Sequence, residues 1–226
     1  GVVGASGLLA EPAGREALAM AIDRNALIAA FGVSGWVPTT RVVAPGLPGD
    51  SGMVGERWTG MAIEARRAEA ARRVARLGGG GAERLSITLP KGPGADILYG
   101  RLRSDLGQIG VTLVRVPSGQ AADLRLVDLV ARYPRAEWFL NQFACSARRG
   151  LCSQSADQRM AEARAALHPA ARSAILAEAE AELTRANVYV PLGQPIRWSL
   201  ARASVTGFAP NRWSVHPLMP LAMRPR

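Results

Sequence analysis

The segment from Arg84 to Pro117 constrains the fold more than any other part of the chain. There "RLSITLP" is followed by "ADILYGRLRSDLGQIG" and then by "VTLVRVP". The outer pieces have the length and β-branched content of buried strands, and the middle piece reads as a helix. A helix crossing between two strands favours a right-handed connection and a parallel pair. The expected class is therefore α/β, built on at least one βαβ unit with flanking helices, and 226 residues are enough to bury a core around it.

Upstream, "GREALAMAIDRNALIAAFG" reads as one amphipathic helix, with Leu18, Ala21, Ile22, Ile28 and Phe31 along one side and Gly32 as its stop. The following stretch, with Pro38, Pro45, Pro48 and many glycines, is too rich in breakers for a regular element and is expected to be a long loop. Trp36 in that loop is either a ligand-facing ring or a partly buried anchor. An Arg-rich helix comes next and ends in "GGGG", and a third strand is expected in "ADLRLVDLV". Two Ala-rich helices, about 156–167 and 170–187 and separated by Pro169, lead to the apolar "VYVPL" and an irregular Pro-rich tail.

The formal charge of +10 invites a polyanion-binding reading. In "EARRAEAARRVAR", however, Ile63, Ala70, Val74 and Leu77 recur at helical spacing, and the arginines take the other faces. A solvated helix face accounts for this pattern; a nucleic-acid or polyanion module using that helix is the alternative reading, with one continuous Arg face as its signature. "GGGG" follows a helix and precedes a strand, the reverse of a phosphate-binding loop. His168 and His216 both precede proline, with no partner at metal-ligand spacing, so neither a metal nor another cofactor is expected. No serine sits in a nucleophile elbow, and no convergent catalytic pair is visible, so the reading is a binding protein and not an enzyme. No apolar run is long enough to span a membrane.

The densest chemistry lies in "DLVARYPRAEWFLNQFACSARRGLC", Asp128 to Cys152. Cys145 and Cys152 lack the spacing of a redox or zinc motif. They stay reduced in a cytosol or form a local disulfide in an oxidising compartment, and the disulfide is the reading adopted.

Taken in order, "REALAMAIDRNALI", "EARRAEAARRVARLG", "LSITLP", "LRSDLGQIGVTLVRV", "DLRLVDLVARYPRAEWFLNQF", "VYVPLGQPIRW" and "VTGF" resemble the C-terminal half of family 5 extracellular solute-binding proteins. These are the oligopeptide, dipeptide and nickel binders of ABC importers. The resemblance implies a periplasmic-binding-protein-like lobe of type II, cluster C. It further implies a periplasmic protein, monomeric at full length, that traps a peptide-like or other organic solute between two lobes and hands it to ABC permease subunits, with no nucleic acid involved. On this reading residues 1–190 form the C-terminal ligand-binding lobe, and 191–226 are a tail returning to an N-terminal lobe absent from this chain. An exported protein is also where the Cys145–Cys152 disulfide would form.

In peptide-binding relatives an Asp directly before the aromatic of an A-D-Y step pairs with the ligand ammonium. Here the step reads Ala131-Arg132-Tyr133, and the positions where glycine and tryptophan are frequent hold Asp128 and Leu129. An arginine repels an ammonium and favours a carboxylate or phosphate. Arg132 thus either selects anionic ligands or simply pairs with Asp128 or Glu137. Tyr133, Trp138 and Trp36 are the expected apolar walls.

Overall fold

The structure, a computed structural model, describes residues 1–78, 81–205, 207–209 and 211. The expected βαβ unit is its centre. Strand β2 (Glu83–Thr88), helix α4 (Pro93–Gly107) and strand β3 (Val111–Val116) form it, with β2 and β3 parallel and in register from Glu83 opposite Val111 to Thr88 opposite Val116. Leu85, Ile87, Val111 and Leu113 are buried, as alternate positions on one pleated face should be. Pro93 occupies the first turn of α4, where a missing amide costs nothing.

The third strand is far shorter than expected. Only β4 (Leu124–Arg125) joins the sheet, parallel to β2, giving the order β3-β2-β4. Asp123 fixes this entry: its carboxylate accepts from the Ser86 amide and hydroxyl, at 2.8 and 2.6 Å. Val2 bridges Leu124 antiparallel at the outer side.

Residues 12–31 do not form one helix. Helix α1 (Pro12–Ala21) ends at an extended Ile22, and α2 (Arg24–Ala29) starts anew with Asp23 as its N-cap, the Asp23 carboxylate accepting from the Ala26 amide. The apolar stripe continues across this break, which is why periodicity alone read it as unbroken. Helix α3 (Ile63–Leu77), the Arg-rich one, packs on α1.

A second core lies beside the first. Short helix α5 (Ala136–Asn141), α6 (Gln154–Ala165) and α7 (Pro169–Ala186) bury Leu140, Met160, Leu176 and Leu183, together with Val43 from the long loop. That loop is ordered by buried charge. Arg41 pairs with Asp50 and Glu180, both at 2.9 Å, and Glu180 also accepts from the Val42 and Val43 amides. Burial pushes the Asp50 carboxyl up, but the Arg41 guanidinium and the Gly46 and Gly52 amides outweigh it and hold it below the usual carboxylate range.

The chain then returns to the first core. Val190 and Leu192 pack against it, and β5 (Gly193–Gln194) pairs antiparallel with β1 (Val37–Pro38). The beginning of the expected tail therefore rests on this body. Much of the remainder, with His216 and the Thr206 of "VTGF", lies outside the described residues.

Candidate functional site

Where β4 ends, the chain leaves the sheet. Leu126 still donates to the Thr88 carbonyl, and Val127 to Ala131 then line a cavity of about 920 Å³. Phe31 and Trp36 form another wall, their rings stacked at 4.8 Å and 27°. Trp138 and Phe139 of α5, edge to face at 5.2 Å, form a third. The lining is chiefly apolar, with a few polar groups set into it, the usual make-up of a small-molecule site.

The segment Val190–Arg197 runs along this cavity. Ile196 sits against Gly35, where a side chain has no room: a Cβ there would lie 2.6 Å from Ile196 Cδ1, and φ is +87°. At the end of the segment, Arg197 forms an ion pair with Asp128. This pair closes a contact between the returning segment and the stretch that follows β4.

The expected site residues divide accordingly. Asp128, Leu129, Trp138 and Trp36 all line the cavity, with Trp138 buried and Leu129 40% exposed. Trp36 is partly buried, stacks on Phe31 and lines the cavity, and its Nε1–H is buried without a hydrogen-bond partner. Arg132 and Tyr133 are exposed and stand just past the lining segment.

The reading in which Arg132 pairs with Asp128 or Glu137 is corrected. Asp128 is taken by Arg197, and Glu137 by Arg164 at 3.5 Å. The sequence reading missed Arg197 altogether; a cation in the apolar "PIRW" run was the one available signal.

Cys145 and Cys152 are disulfide-bonded, with Cα atoms 5.1 Å apart. The bond closes the loop whose Leu151 amide donates to the Val2 carbonyl, pinning it against the N-terminal segment. Reducing it, or replacing both cysteines by serine, should cost about 2.5 kcal/mol for a loop this short. Urea denaturation with and without reductant measures that loss, and thiol titration of unreduced protein should find no free cysteine.

The Arg-rich helix does not present a continuous free Arg face. Arg67 bonds Asp105 at 2.6 Å, Arg72 and Arg73 both bond Glu69, and Arg73 reaches Glu16 at 2.7 Å. Among the described residues no group of His, Cys, Asp and Glu could hold a metal ion, and no helix is long and apolar enough to cross a membrane.

Comparison with solved structures places this geometry. Burkholderia pseudomallei OppA superposes with a TM-score of 0.77 at 24% identity, over 99% of this chain and 46% of that one. The chain has the fold of a periplasmic-binding-protein lobe. Haemophilus influenzae OppA, solved in complex with RPPGFSPFR, matches the lobe with a TM-score of 0.78 at 18% identity, over 89% and 43%. Escherichia coli MppA, a murein tripeptide binding protein, gives 0.77 at 18% identity, over 85% and 41%. The lobe thus spans less than half the length of these structures. No protein-family model and no curated protein matches it.

Proposed function

We propose that this lobe belongs to a family 5 solute-binding protein, the periplasmic capture component of an ABC importer, and that it holds an organic solute for delivery to a membrane permease. Residues 1–190 are its ligand-binding body, and the tail from 191 leads toward a second lobe that closes over the site. The observation that carries this reading is the cavity itself: about 920 Å³, walled by Phe31, Trp36 and Trp138, with Asp128, the one carboxylate among its described lining residues, already neutralised. The role is binding and not catalysis. The fold, shared with proteins solved as peptide binders, supports the choice of a peptide-like solute.

Charge refines the ligand class. Asp128 is engaged by Arg197, while Arg132 makes no ion pair among the described residues. A ligand with an exposed carboxylate or phosphate therefore meets an available cation, and an ammonium meets no free anion. Calorimetric titration of the two-lobed protein should give tighter binding to N-blocked, anionic peptides than to free dipeptides. Trp36→Ala should weaken the anionic ligand at least tenfold, since the wall loses a ring worth about 1.5–3 kcal/mol of burial. No binding of any peptide, or full affinity in Trp36→Ala, would reject this cavity as the site.

The Asp128–Arg197 pair supplies a separate prediction. Both side chains are more than a third exposed, so the pair itself should contribute under about 1 kcal/mol to stability. Arg197→Ala should leave the thermal midpoint nearly unchanged yet raise affinity for cationic peptides, because it frees the Asp128 carboxylate. Paired melting and titration of this variant check both parts.

A further inference from the structure

Three arginines, none of them in the cavity lining, surround one tryptophan. The Cζ atoms of Arg57, Arg24 and Arg66 lie 4.2, 5.8 and 5.8 Å from the Trp58 ring centroid. Trp58 itself holds a left-handed φ of +55°, uncommon for a bulky residue. Arg57 is satisfied by Asn187 Oδ1 at 2.7 Å and Glu16 at 2.5 Å. The other two are not.

Arg24 is 6% exposed, yet it meets no carboxylate. Its Nε donates to the Pro191 carbonyl at 2.9 Å and its Nη1 to those of Ala19 and Ile22, while Nη2 is buried with no partner. Burial, then the neighbouring charges of Arg66 and Arg57, push its guanidinium down to about 10. Arg66 has a buried Nε with no partner and, among the described residues, no ion pair.

Three of the carboxylates close enough to act on these two are engaged elsewhere. Asp23 caps α2, Asp105 takes Arg67 and the Asp23 amide, and Glu56 accepts from Thr39 and Thr40. Glu64, in the first turn of α3, acts on Arg66 at a distance without a bond to it. Stacking on a tryptophan offsets about 0.5–2 kcal/mol per cation, whereas a buried charge left without a partner costs several. Arg24 Nη2 and Arg66 Nε are left without an acceptor.

We infer that the Arg24–Arg57–Arg66 cluster around Trp58 is a binding site for a small oxyanion, a phosphate or a carboxylate. Arg24 forms its floor, and the half-buried Arg57 and Arg66 form its open side. The three arginines lie outside the cavity lining, although Arg24 bonds the lining residue Pro191, and the inference does not rest on the function proposed for that cavity.

The test is calorimetric titration of the 226-residue protein with inorganic phosphate, ionic strength being held constant with sodium chloride. Saturable one-to-one binding is expected, at least tenfold weaker in Arg66→Gln. Arg66→Lys should recover part of it, since it keeps the charge but loses the fork. Phosphate should also change tryptophan emission in the wild type and not in Trp58→Phe. A parallel titration with acetate tells a planar carboxylate site from a tetrahedral one, and saturation by either anion with the same loss in Arg66→Gln supports the inference. Absence of saturable binding by both anions overturns it, as does binding that Arg66→Gln leaves intact. The arginines would then be satisfied by the ring and the main-chain carbonyls alone.

Discussion

Glu180→Ala is expected to destabilise the protein by about 3–5 kcal/mol, a large share of the 5–15 kcal/mol that ordinarily holds a domain together. Glu180 is 2% exposed and accepts from Arg41 and from two successive amides, so truncation strands both buried amides and takes one of Arg41's two carboxylate partners. The cavity left by the side chain adds to the loss. Glu180→Gln should be milder. Its carbonyl oxygen still serves the amides, and Arg41 keeps Asp50 as a charged partner. The midpoint of urea unfolding should therefore fall in the order wild type, Glu180→Gln, Glu180→Ala, and equal midpoints for all three would show that the network contributes little.

The same network gives a pH dependence whose sign follows from Asp50 and Glu56. Burial raises both carboxyls, but hydrogen bonds reverse the balance, from Arg41 and two glycine amides for Asp50 and from Thr39 and Thr40 for Glu56. Both end below the usual carboxylate range. A depressed acid contributes stability that is fully present above its unfolded value, about 4, and is lost as pH falls through the folded value. The part of the urea midpoint that these two acids supply should be flat from neutral pH to about 5 and drop below about 4. Asp50→Asn should flatten part of that drop.

The parts of this fold that were legible in sequence are those set by local pattern. The β2-α4-β3 unit reads directly because its strands are short branched runs and its connection is too long for a hairpin. Helices α6 and α7 read equally well, with Pro169 opening the second. The break at Ile22 was signalled by Asp23 three residues before the Ala26 amide it caps, but the continuous apolar stripe concealed it. The third strand failed for a different reason. Val127 to Val130 keep the composition of a strand, but beyond the Leu126 amide's bond to Thr88 they line a cavity instead of pairing with a neighbour. Composition cannot distinguish those two fates. Long-range charge pairing was hidden altogether: Arg41 and Glu180 are 139 positions apart, and Arg197 and Asp128 are 69 apart. At the site, the sequence reading named Trp36 and Trp138, which line the cavity, and Tyr133, which does not; it missed Phe31 and Phe139 as walls and Arg197, the residue that neutralises Asp128.

Arg132→Asp is expected to reverse the charge preference of the two-lobed protein. In this lobe Arg132 is exposed and free of the two acids adjacent to it in sequence, so it retains its full capacity for a ligand. How much it contributes depends on desolvation. If closure of the second lobe buries Arg132 against a ligand carboxylate, its truncation should cost at least about 2 kcal/mol, the lower end for a desolvated charged contact. That is about thirtyfold in affinity. An arginine that stays in water contributes under about 1 kcal/mol, and salt screens it away. The two cases separate by magnitude and by salt. Titrating wild type and Arg132→Asp with matched anionic and cationic peptides at low and high ionic strength should show at least a thirtyfold loss for the anion, a gain for the cation, and little salt dependence. A loss below fivefold that disappears in high salt would remove Arg132 as the selector and leave Trp36 and Trp138 as apolar walls without charge preference.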